Sequence, residues 1–132
     1  MVEFSESQNL NFKNLSKSSS LAVVAFAIFG LLNVAGFAVP FGRQNFTSST
    51  LLTVLSIILI VSCFFSAVAF KKASTNYSLI VTTENNDLAL LASGGQQLQK
   101  AFTWASVTIL EMLVRSAYFH AHFDFVLRKI AD

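Results

Sequence analysis

Two long runs of apolar residues dominate the first part of the chain. Residues 21–39 read LAVVAFAIFGLLNVAGFAV, residues 50–70 read TLLTVLSIILIVSCFFSAVAF, and neither run contains a charged side chain. A helix needs about 20 apolar residues to cross the hydrocarbon core of a bilayer. We therefore predict two transmembrane helices, joined as an antiparallel hairpin over residues 21–72. The connection begins with helix-stopping residues and ends with capping residues: Pro40, Gly42, Ser48 and Ser49.

Each predicted span carries a line of small or polar residues. In lipid, helices associate through close packing of small residues and shared hydrogen bonds, because lipid provides no hydrophobic drive between them. We therefore expect both lines to face the hairpin interface, and we expect the Asn33 amide to find a partner on another helix. The lone cysteine is interpreted as a packing residue. The residues expected to make helix-packing or partner contacts in the two spans are Gly30, Asn33, Ser56 and Cys63.

Polar segments flank the hairpin on both sides. Residues 1–20 are rich in Ser and Asn, which predicts a polar tail that is disordered in isolation. Lys71 and Lys72 follow the second apolar run directly and resemble a stop-transfer anchor. Residues 73–86 are predicted to be a polar linker on the membrane surface, although residues 77–83 have a strand-like composition.

From Asp87 onward, apolar residues recur at three-four spacing. The phase passes through Gly94 and Gly95 unchanged, so residues 87–132 are predicted to hold one long helix and a C-terminal tail. A bend or break at the two glycines is the alternative, because glycine costs about 1 kcal/mol relative to alanine inside a helix. This helix is either amphipathic and interfacial or transmembrane.

Glu111 and Arg115 interrupt the apolar run over residues 101–119. They form an i, i+4 pair with the acid first, which is the favourable orientation. Their polar stripe is narrow, as in a helix that turns its polar residues toward neighbours, whereas a surface helix has a broad charged face. Each central charge opposes insertion by about 2.5–3.5 kcal/mol, so the sequence leaves both arrangements open. We interpret the pair as a structural ion pair or partner contact, with an ion pathway as the alternative.

Composition supports a membrane protein. The chain is 54% hydrophobic and 12% charged, whereas soluble domains carry about 25% charged residues. The predicted fold class is all-α: an integral membrane helical hairpin plus a long third helix, with two or three spans. If the N-terminus is in the cytoplasm, three spans place five lysines on the cytoplasmic side and Arg43, Arg128 and Lys129 on the opposite side. The positive-inside rule therefore favours a cytoplasmic N-terminus. The five are Lys13, Lys17, Lys71, Lys72 and Lys100.

The sequence contains no recognisable set of catalytic residues. It lacks a nucleophile–base–acid pattern, a phosphate-binding loop and metal-ligand spacing, and its basic residues are not gathered on one face as nucleic-acid binding requires. His120 and His122 would point roughly 200° apart on a helix, so they would not chelate one metal. We therefore expect no enzymatic activity, no metal, no nucleic acid and no small-molecule substrate, and we leave the cofactor unknown.

Residues 20–110 resemble small uncharacterised membrane proteins of cyanobacteria, in which a TTEGND-like stretch precedes a third hydrophobic helix. This chain departs from that pattern because Asn85 stands where the pattern has glycine, and because its third helix contains charged residues. The resemblance implies a thylakoid or plasma membrane location and no activity. The residues that carry it are Thr82, Thr83, Glu84, Asn86 and Asp87.

These features predict a small accessory or assembly subunit of a larger membrane protein complex. The resemblance suggests a photosynthetic or respiratory complex as the host. The expected partners are membrane lipid and other membrane-protein subunits. The alternative is an oligomeric small transporter or channel component, in which Asn33, Glu111 and Arg115 line a path.

Overall fold

The computed structural model describes residues 4–41, 50–82 and 87–131, and this part of the chain forms three helices. They are α1 (Glu6–Phe41), α2 (Thr50–Thr82) and α3 (Asp87–Ala131). The prediction of an all-α chain is confirmed, and α3 runs without a break through both glycines. By length and composition, α1 and α2 could each cross a membrane. α1 ends one residue after Pro40, whereas the other expected stop and cap residues lie outside the described residues: Gly42, Ser48 and Ser49.

Residues 6–20, predicted to be a polar tail that is disordered in isolation, form the first turns of α1. The backbone N–H of Ser5 donates to Oε1 of Gln8 at 2.7 Å, and the N–H of Gln8 donates back to Oγ of Ser5 at 3.4 Å. This reciprocal pair is a capping box, which satisfies two backbone donors that would otherwise be free. Phe12 then stacks on Tyr77 of α2 with ring centroids 6.2 Å apart, so tertiary packing holds the segment.

The prediction of a polar linker is wrong for residues 73–82, which continue α2. Ala73, Tyr77 and Ile80 are buried and follow helical spacing along one face. The strand-like composition of this stretch is therefore overridden by packing. Residues 83–86 lie outside the described part of the chain. The apolar side chains that pack against this face are Phe4, Phe12, Leu90, Leu91 and Leu98.

α1 and α2 pack antiparallel, as a helical hairpin requires. The hydroxyls of Ser20 and Ser74 are 2.8 Å apart, and the rings of Phe26 and Phe70 stack with centroids 5.7 Å apart. Later residues of α1 thus meet earlier residues of α2.

α3 packs antiparallel on another side of α2. Phe65 stacks on Trp104 at 4.9 Å between centroids, and the Asn76 amide donates to the Ser93 hydroxyl at 3.0 Å. Among the described residues, no Cα atom of α1 lies within 8 Å of a Cα atom of α3. The three helices therefore form a row in which α2 is the central member.

This pairing brings the ends of the three apolar runs to one level. A buried cluster joins the start of the first run, the end of the second and the start of the run in α3. Residues 6–20, 73–82 and 87–100 therefore extend together beyond that level, by about 20 Å at 1.5 Å per residue. The members of the cluster are Ala22, Val23, Phe26, Ala69, Phe70, Leu98 and Ala101.

The distribution of polarity within the apolar runs is inverted relative to a soluble protein. Ser62 and Ser66 are fully buried, whereas Leu31 of α1 and Leu113 of α3 are 68% and 63% exposed. Large exposed apolar side chains recur on all three helices in these runs. Monomeric soluble proteins rarely expose apolar patches larger than a few hundred Å². The apolar runs therefore expose more apolar surface than is usual for a monomeric soluble protein.

The two adjacent glycines of α3 provide a matched test of the α2–α3 packing. A Cβ on Gly94 would lie 3.1 Å from two ring carbons of Tyr77, whereas a Cβ on Gly95 would have no neighbour within 4 Å. We expect Gly94→Ala to destabilise the fold by about 1–3 kcal/mol, because a buried ring must move. Gly95→Ala should be neutral or slightly stabilising through helix propensity. Unfolding of both variants in detergent, followed by circular dichroism, measures the difference, and equal stabilities would contradict this packing.

Candidate functional site

A line of polar side chains lies where α2 meets α3, inside the apolar runs. Thr108 is 2% exposed and Glu111 is 5% exposed, although both stand among apolar neighbours in the sequence. In a hydrocarbon environment, polar residues of this kind face the interior of a helix assembly and mark structural or functional contacts. We call this line the α2–α3 seam, and its members are Ser56, Ser62, Thr108, Glu111 and Arg115.

The hydroxyls of the seam are satisfied by their own helices and then bond across the interface. The hydroxyl oxygens of Ser62 and Thr108 each lie within hydrogen-bond distance of a carbonyl of the preceding turn, at 3.0 Å and 3.1 Å, as is usual for hydroxyl side chains inside helices. Their two oxygens lie 2.9 Å apart, and since each hydroxyl has one proton, one of them donates across the interface and the other donates to its own carbonyl. Ser66, one turn further along α2, donates to the Ser62 carbonyl at 2.8 Å. The short side chains thereby bring the two backbones close together.

The ion pair of α3 is turned toward α2. Nε of Arg115 lies 3.9 Å from Oε1 of Glu111, and the two side chains are 24% and 4% exposed. Nη2 of Arg115 also donates to Oγ of Ser56 across the interface. The arginine therefore links the acid on its own helix to a hydroxyl on the neighbouring helix.

The Glu111 carboxylate is buried without a hydrogen bond. Among the described residues, neither of its oxygens has a hydrogen-bond partner, and Nε of Arg115 has none either. A separation of 3.9 Å is too long for a hydrogen bond, so the pair interacts by charge alone. Buried charges are normally both paired and hydrogen-bonded, because desolvation of each ion is costly. Glu111 thus retains acceptor capacity that its described neighbours leave unfilled.

Cys63 connects the seam to α1. It is 1% exposed, and its thiol lies beside the Thr108 hydroxyl. On the other side, a Cβ added to Gly30 would come within 3.3 Å of the Cys63 Cβ atom. Gly30 and Cys63 therefore lie where α1 and α2 approach each other closely, which is a packing arrangement.

Asn33 does not join the other residues singled out from the sequence. Its Nδ2 donates to the Phe29 carbonyl at 2.8 Å, within α1. This bond uses one N–H of the amide, so the expected partner on another helix stays a prediction. Since α1 does not approach α3 among the described residues, Asn33 is also apart from Glu111 and Arg115.

Sequence analysis did not single out Ser62 and Ser66, although they are the most deeply buried polar residues. A signal was present, because an i, i+4 pair of serines in a charge-free run lies on one helix face. Their position shows that α2 has packing faces toward both neighbours, whereas the sequence pattern was interpreted as a single seam.

The seam shows packing and charge burial, with no group of ligands for a metal. Within residues 4–41, 50–82 and 87–131, no three His, Cys, Asp or Glu side chains lie close enough to hold a metal ion. Comparison with protein-family models, curated proteins and solved structures finds no match for this chain. The role of the α2–α3 seam is therefore inferred from its geometry.

The ion pair can be tested by a double-mutant cycle. We expect Arg115→Met to destabilise the protein by about 3–5 kcal/mol, because it leaves a buried carboxylate without a counter-charge. Glu111→Gln should cost less, because Arg115 is partly exposed and keeps its bond to Ser56. The double variant should recover most of the loss, since a buried pair replaced as a unit is often neutral.

Denaturant unfolding in detergent measures the cycle, with Lys100→Met as the control for loss of an exposed charge on the same helix. Additive effects of the two substitutions would show that Glu111 and Arg115 do not interact.

Proposed function

We propose that this chain is a small non-catalytic subunit or assembly factor of a larger membrane protein complex, and that it crosses the bilayer three times. The observation that carries the proposal is the shared level of the three apolar runs. Their exposed side chains are apolar, whereas the buried side chains between them include serines, a threonine and an ion pair. This is the arrangement that helices adopt in lipid, where polar groups are satisfied only by neighbouring helices.

The orientation of α3 supports a third span. Its two charges face α2, while Ile109, Leu110 and Leu113 are 58%, 63% and 63% exposed on the outer side. A helix lying on the membrane surface would instead present its charges to water. Residue 111 is about 15 Å from residue 101 along the helix, which is near the middle of a 30 Å hydrocarbon core.

The single row of helices supports assembly with other subunits. The α2–α3 seam and the Gly30–Cys63 contact are already used within the chain, so they are not the surface for a partner. The row instead leaves broad apolar faces on its two sides, and membrane helices associate through such faces. The helical extension beyond the apolar runs adds a polar surface of about 20 Å for contact outside the bilayer.

The lysines support a cytoplasmic N-terminus. All five lie in the extension or directly beside it, where the helices leave the apolar level. An excess of lysine and arginine on one side is typical of cytoplasmic segments. The resemblance to cyanobacterial proteins suggests a thylakoid or plasma membrane, and a photosynthetic or respiratory complex as host. The lysines concerned are Lys13, Lys17, Lys71, Lys72 and Lys100.

Isolation of the complex tests the subunit role. A tagged chain extracted in mild detergent is expected to migrate on native gels well above its 14.4 kDa mass and to bring other membrane proteins with it in fixed ratio. In proteoliposomes, the wild type and Glu111→Gln are expected to give the same ion flux as protein-free vesicles. If the chain forms only homo-oligomers and Glu111→Gln alters a measurable flux, the transporter or channel role replaces this proposal.

Cysteine labelling tests the number of spans. In a Cys63→Ala background, Ser7→Cys and Asp132→Cys each introduce one thiol, at opposite ends of the chain. In sealed vesicles of known orientation, we expect an impermeant maleimide to label Ser7→Cys only from the cytoplasmic side and Asp132→Cys only from the opposite side. Labelling of both positions from the same side would indicate two spans, with α3 outside the bilayer core.

A further inference from the structure

An apolar groove lies between α1 and α2, outside the α2–α3 seam. Its volume is about 610 Å³, and its walls are formed by aliphatic and aromatic side chains of both helices. Small residues at Ala27, Gly30 and Ala67 leave this space, because larger side chains at these positions would fill it. The groove is therefore a consequence of the same small residues that bring α1 close to Cys63.

The groove has the dimensions of a hydrocarbon chain. It extends along α2 from Ile60 to the two lysines, a distance of about 16 Å at 1.5 Å per residue. It lies alongside the apolar run of α2 and ends where that run ends. An extended acyl chain entering from the bilayer surface would therefore lie parallel to the helices within it.

One end of the groove carries positive charge. Lys71 and Lys72 line this end, both are exposed, and no acidic side chain is among the described residues that line the groove. The two lysines sit next to the Ala69–Phe70 cluster, where the helices leave the apolar level. Their ammonium groups therefore stand at the depth expected for lipid headgroups. Basic sites between transmembrane helices at this depth are typical of anionic headgroup recognition.

We propose that the groove between α1 and α2 binds one anionic phospholipid, with an acyl chain along Phe26, Gly30 and Phe64 and the phosphate between Lys71 and Lys72. The inference rests on the proposed membrane location and goes beyond it by assigning a specific lipid site. Two adjacent cations without a neighbouring acid favour an anionic headgroup over a zwitterionic one. An apolar peptide or helix of a partner would not need this charge.

Native mass spectrometry of the full-length protein in mild detergent tests the site. The probes are dioleoyl phosphatidylglycerol and dioleoyl phosphatidylcholine, which share their acyl chains and differ in headgroup charge. We expect one phosphatidylglycerol to be retained per chain with higher apparent affinity than phosphatidylcholine. Replacing both lysines (Lys71→Gln with Lys72→Gln) should weaken retention of phosphatidylglycerol by about 30-fold, the factor expected for two basic residues.

Two matched controls separate the site from general effects. Lys13→Gln with Lys100→Gln removes the same charge from exposed positions that do not line the groove, and should leave retention unchanged. Ala27→Phe fills the groove and should abolish retention of both lipids, whereas Ala25→Phe adds the same bulk to an exposed position outside it and should not.

Equal retention of the two lipids, or equal loss in the two lysine pairs, would overturn the lipid site. Flotation of the wild type with vesicles is measured in parallel. If the protein floats as an integral protein and still shows no headgroup preference, the site fails while the membrane location stands. If the protein does not associate with vesicles at all, the membrane location fails and the lipid site fails with it.

Discussion

α2 packs against two neighbours at once, and the short polar side chains on its faces make this possible. Ser62 bonds to Thr108 of α3, whereas Ser74 bonds to Ser16 and Ser20 of α1. Serine is small enough for backbones to approach and still supplies a hydrogen bond across the interface. Long apolar side chains are thereby left on the outer surfaces. The inverted polarity of the apolar runs follows from the requirement that α2 packs closely against both neighbours.

Close packing on α2 also explains how α3 carries charged residues beside apolar helices. Arg115 reaches Ser56, and this contact holds the arginine near Glu111 while both point toward α2. The pair is costly in isolation, because two ions are removed from water and the carboxylate lacks hydrogen bonds. The Arg115–Ser56 contact forms in one register of α3 on α2, because sliding either helix by a turn would separate the two side chains.

The sequence was sufficient for features that depend on local periodicity or length. The two apolar runs, the uninterrupted α3 and the i, i+4 pair could all be identified from spacing alone. Residues 6–20 and 73–82 could not, because contacts such as Phe12 on Tyr77 hold them in helices. The contact between Ser56 and Arg115 depends on the register of α3 on α2, which cannot be read from a single sequence. The Asn33 amide donates to a carbonyl of its own helix, a bond that the spacing of polar residues does not reveal.

On the proposed three-span topology, the dependence of α3 on α2 has a consequence for biosynthesis. By length and composition, α1 and α2 could each cross a bilayer as separate segments. α3 is not comparably apolar, and Arg115 gains its hydrogen bond to Ser56 only when α2 is already beside it. The translocation machinery would then have to retain the finished hairpin until the last helix emerges from the ribosome. Because synthesis proceeds from the N- to the C-terminus, α2 is complete before α3 packs against it.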